Sequence, residues 1–110
     1  MVLTERMRIE YEYIVGKRDD AIENDFEEWL YGSHDEYEKA IRKRRILFGD
    51  ERTEALIDRM RRTYILNRSG RVGTHANMNT LRALQRRGLI EIEKDADMAM
   101  VLGTTVVRIV

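Results

Sequence analysis

The residues best suited to chemistry lie between positions 74 and 90. At about 100° per residue, His75, Asn79, Arg82 and Arg86 share one side of a helix. Asn77, Leu81, Leu84 and Gly88 share the other, with Met78 and Gln85 at its edge. An asparagine amide can pair at two points with adenine and a guanidinium with guanine, while cations beside them hold phosphates. His75, Asn79, Arg82 and Arg86 are therefore candidate base-contacting residues. Residues 59–88 contain eight arginines and no Asp or Glu, and within them Arg68, Arg71 and Arg87 are candidates for phosphate contact. The run KAIRKRR at 39–45 is also free of acids and adds Lys43 and Arg44. For that run two readings stay open: phosphate contact, which adds a salt-dependent increment to affinity, or cations complementing a helix C-terminus.

Other patterns do not support catalysis. Ser33, His34 and Asp35 are adjacent in sequence, which is not how a nucleophilic triad is assembled in space, and no Gly-x-Ser-x-Gly elbow is present. The turn Gly70-Arg71-Val72-Gly73 lacks the lysine and the preceding strand of a nucleotide loop. The two histidines stand far apart and there is no cysteine, so neither a metal centre nor any cofactor is expected. Asp19, Glu23 and Glu27 recur every four residues and read as a solvated acidic helix face. The expectation is a protein that is not an enzyme.

Charge placement is more informative than charge total. The 110 residues balance 20 Lys and Arg against 20 Asp and Glu, yet residues 1–38 hold 12 acids and 4 bases while the charged residues of 59–88 are all basic. Sign asymmetry of this kind concerns partners and says little about fold. The absence of cysteine fits a reducing compartment. The longest apolar runs are a few residues, against about 20 needed to span a bilayer, so no membrane partner is expected. The first residues lack the pattern of a secretory leader, which makes a cytoplasmic location the default expectation.

The elements that must position these residues follow from periodicity. Residues 7–15 fit either a strand or a helix, with Thr4 as a possible cap tipping the balance to helix. Lys17 to Tyr31 reads as one helix stopped by Gly32. Ser33-His34-Asp35-Glu36 is a capping box opening a helix to Phe48, and a further helix runs from about Glu51 to Leu66. Thr74 is expected to cap a helix to Arg87, with Gly88 as its left-handed terminus. Leu89 to Glu93 and Met98 to Leu102 then form a hairpin, and the tail from Thr104 is either a third short strand or a final helical turn.

Residues 80–90, TLRALQRRGLI, resemble the end of the recognition helix and first wing strand of winged helix-turn-helix proteins, in particular MarR-type and PadR-type regulators. Leu102-Gly103-Thr104-Thr105-Val106-Val107 is similar to the return after their wing. The resemblance covers roughly residues 51–110. It implies a mainly α fold with a small β-hairpin wing, in which Glu51 to Leu66 is the first helix, Thr74 to Arg87 the recognition helix and Leu89 to Leu102 the wing. It further implies double-stranded DNA as partner and transcription regulation as role. One departure is that only Asn67 to Gly73 separates the two helices, too few for an ordinary positioning helix, so the helix-turn-helix is abbreviated. A winged domain can also serve as a protein-binding module.

The chain thus reads as a single domain, 1–110, with an acidic, aromatic-rich helical sector at 1–49 and a winged-helix-like sector at 50–110. All eight aromatics lie at or before Tyr64. The N-terminal sector covers the winged core, builds a homodimer interface through Phe26, Trp29 and Tyr31, or engages a basic protein partner. The second functional reading is therefore a protein-binding adaptor or inhibitor acting through the acidic helices.

Overall fold

A computed structural model describes residues 2–93 and 104–110. Its elements are α1 (Glu5–Glu23), α2 (Phe26–Tyr31), α3 (His34–Phe48), α4 (Asp50–Arg68), β1 (Arg71–Thr74), α5 (Met78–Arg86), β2 (Ile90–Ile92) and β3 (Thr105–Ile109). The protein is mainly helical with one small antiparallel sheet of order β1-β3-β2.

Residues 7–15 are helical. Thr4 Oγ1 accepts the Met7 N–H at 3.2 Å, and Met7 and Ile14, two turns apart, are both buried. The helix expected over Lys17 to Tyr31 is in fact two. Asn24 donates from its amide to the Asp20 carbonyl at 2.9 Å, and Asp25 accepts the Glu28 N–H at 3.0 Å. Side chains that bond to nearby backbone compete with helix continuation, and here two in a row end one helix and start the next. Ser33 caps α3 by accepting the Glu36 N–H at 3.1 Å. Gly49, at φ +85°, is the only residue between α3 and α4, a reversal that a Cβ would strain.

The expectation for Thr74 is corrected. It ends β1, pairing with Thr105, and its hydroxyl donates to Glu10 and accepts the Ala76 N–H at 3.1 Å. Asn77 caps α5 instead, accepting the Asn79 N–H at 2.7 Å, so α5 begins at Met78. Pairing with β3 outweighs the local capping preference of Thr74. The tail proves to be the third strand: β3 pairs with β1 through Val72↔Val107 and with β2 through Ile90↔Ile109. The return strand expected over Met98 to Leu102 lies outside the described residues.

Two apolar clusters hold the elements together. In the first, Met7 and Ile14 of α1 meet Leu81 and Leu84 of α5 and Val72, Ile90 and Val107 of the sheet. In the second, Ala21 of α1, Phe26 of α2, Ile41 of α3 and Ile57 and Tyr64 of α4 pack together. Helix α1 contributes to both, so the core does not divide at residue 49. The interval between α4 and α5 contains β1 rather than a positioning helix, and the helix packed on α5 is α1.

Candidate nucleic-acid interface

Helix α5 is fixed from behind. Thr80, Leu81 and Leu84 are buried, and Gln85 Oε1 accepts the Ile92 N–H at 2.8 Å, tying β2 to the helix. Gly88 at φ +74° turns the chain from α5 into that strand. The opposite side presents Asn79, Arg82 and Arg86, all exposed. Their side chains make no hydrogen bond or ion pair to the described residues. Seven residues of helix rise separate Asn79 from Arg86, roughly 10 Å, which matches about three base-pair steps. His75 does not share this row, because it lies in the connection before Asn77.

The candidate phosphate residues are dispersed. Arg68, at the end of α4, donates to the Tyr64 hydroxyl at 2.9 Å with its guanidinium 5.4 Å from that ring. Arg87 is half-buried and donates to the Val2 carbonyl at 3.3 Å. Arg71 lies 3.4 Å from Glu93, and Arg108 pairs with Glu91. Strand alternation sets Val72 and Val107 toward α1 and α5, which turns Arg71, Glu91 and Arg108 to the other face of the sheet. Lys43 and Arg44 stand near the far end of α4, a helix of 19 residues and so about 28 Å long. Arg44 stacks 5.1 Å from the Phe48 ring, while Lys43 is exposed. Arg45 beside them is held by Glu54 and Asp50, which raise its pKa.

Phe26, expected at a partner interface, is instead buried at 7 % exposure, edge-on to Tyr64 and Tyr37 with Arg61 4.5 Å above it. Trp29 is half-buried against the same cluster, and only Tyr31 of the three is exposed. Gln85 and the Glu91–Arg108 pair were not singled out by sequence. The one signal for Gln85 was its place at the edge of the apolar side.

Asp25, Glu28 and His34 gather on the surface and are the described residues that could hold a cation. Both ring nitrogens of His34 already face carboxylates, Nδ1 at 3.0 Å from Glu27 and Nε2 at 3.1 Å from Asp25. The bond to Glu27 and the charge of Asp25 raise the His34 pKa, so the cluster favours an imidazolium rather than a ligand nitrogen. Among the described residues no helix is long and apolar enough to cross a membrane. No family model, curated protein or solved structure matches the chain.

Proposed function

We propose that this is a small DNA-binding protein, a transcriptional regulator that reads the major groove with α5. The observation that carries the reading is the row Asn79, Arg82 and Arg86, exposed and unpaired among the described residues on a helix whose back is locked to the sheet. Donors held on a rigid element and left without internal partners are what base-edge recognition requires. Further support comes from a helix leading directly into an antiparallel strand pair with a third strand before it, an order compatible with a winged domain lacking its positioning helix. In this reading Arg87, directly after the helix, and Arg68, at the end of α4, are phosphate contacts. Arg71 contributes only if Glu93 releases it.

Selection of bound duplexes from a random library tests this. The expected outcome is an enriched core of about three base pairs per protomer containing guanine and adenine, and a palindromic arrangement would identify a two-fold dimer. No enrichment over input would count against the reading.

The adaptor reading draws on a different observation. Glu23, Asp35 and Glu38 are exposed, Glu28 is half-buried, and none of them makes an ion pair among the described residues. A stoichiometric protein partner lost on reversing Glu23, Glu27 and Glu28, in a chain that binds no duplex at low salt, favours it.

A further inference from the structure

A second site lies apart from the α5 row. A groove of about 600 Å³ runs between α1, α2, α4 and β1, a volume within the usual range for small-molecule sites. Buried Asn67 and Val72 form its floor, and exposed Tyr13, Lys17, Arg59 and His75 its rim.

Three features define what would fit. Lys17, Arg59 and His75 line the groove while no described Asp or Glu does, so it suits an anion. Trp29 lines it too, packed on Phe26 at 6.2 Å and Tyr64 at 5.3 Å yet only half-buried, so part of an aromatic ring borders the groove. Asn67 is 4 % exposed and its Oδ1 has no hydrogen-bond partner, an acceptor that lacks a donor. Buried polar atoms are seldom left so, and a ligand N–H would satisfy this one once the Asn67 amide turns toward the groove.

An inorganic anion meets the first requirement alone, and a simple aromatic carboxylate the first two. A nucleobase carries a flat π-face and N–H donors on one ring, and a 5′-phosphate adds the charge. We propose that the groove binds a nucleoside 5′-monophosphate, with its base stacked on Trp29, a base N–H donated to Asn67 and its phosphate held by Lys17 and Arg59 with His75 beside them.

Trp29 is the only tryptophan, so its fluorescence reports on the groove directly. The full chain is titrated with AMP, GMP, CMP and UMP, and in parallel with adenosine, inorganic phosphate and benzoate, with calorimetry as an independent readout. The expected result is a saturable change with at least one nucleoside monophosphate, at least tenfold tighter than with the nucleoside, phosphate or benzoate. Lys17→Gln and Arg59→Gln, both at exposed positions whose folding is checked by circular dichroism, each weaken binding about tenfold, the loss of one charge-assisted contact. Arg82→Ala/Arg86→Ala leaves it unchanged, which separates this site from the proposed DNA face. The proposal is overturned if no nucleoside monophosphate binds saturably by either method, if benzoate or phosphate binds as tightly, or if both glutamine variants keep full affinity.

Discussion

Replacing Arg82 and Arg86 together by alanine separates recognition from stability. Both guanidinia are exposed and neither bonds to a described residue, and alanine favours helix at least as well as arginine. The change in stability should stay within about 0.5 kcal/mol, or roughly 2 °C in melting temperature. The effect on DNA should be far larger. A guanidinium paired with guanine is worth about 1–3 kcal/mol, so two at the middle of that range contribute about 4 kcal/mol, roughly a thousandfold in affinity. Fluorescence anisotropy on a selected duplex and on a random one distinguishes the two kinds of contact. Base contacts make the loss greater on the selected duplex. Phosphate contacts weaken both duplexes alike and flatten the salt slope by about 1.8, at 0.9 per contact. A folded double variant that keeps full affinity at physiological salt refutes the assignment of α5 as the reading helix.

Two further outcomes test the scaffold. The Tyr64 hydroxyl donates to the Asn24 carbonyl at 2.6 Å and accepts from Arg68, so it joins the α1–α2 break to the end of α4. Tyr64→Phe should cost about 1–2 kcal/mol and lower the melting temperature by roughly 4–8 °C, and an unchanged melt would contradict this role. His34 has a raised pKa through Glu27 and Asp25. Its stabilising contribution is complete below the unfolded value near 6.5 and fades as pH rises through the folded value, whereas that of Asp25, whose pKa is lowered chiefly by the Glu28 backbone bond, fades as pH falls through its own. An NMR titration should place the His34 inflection above 6.5, moving down in Glu27→Gln; an inflection at or below 6.5 in the unaltered chain rejects the ion-pair cluster.

What the sequence made legible was mostly local. The Ser33 cap, the Gly32 and Gly88 termini and the Leu81 and Leu84 face follow from short-range rules, and α3 and α4 lie close to their expected bounds. Long-range competition accounts for the differences. Thr74 is a good cap in isolation, but Thr105 of β3 pairs with it 31 positions later and makes it a strand end. The break at Asn24-Asp25 was visible in residue type, yet apolar residues on both sides masked it. Aromatics in an acidic stretch suggest an interface, whereas Ile41, Ile57 and Tyr64 from two later helices cover Phe26. The Asn79, Arg82 and Arg86 row was legible because it depends only on helical spacing. The pairing of Arg71 with Glu93 was not, since it depends on how the β2 end meets β1 across the sheet.

The central claim is that α5 faces DNA, and a salt titration of binding to a random duplex tests it most directly. Arg68 and Arg87 alone give a slope of log K against log salt of about −1.8, and adding Arg82 and Arg86 gives about −3.6, so the measured slope should fall between these values. Duplex affinity that is absent at low salt, or that does not change with salt, would contradict the account.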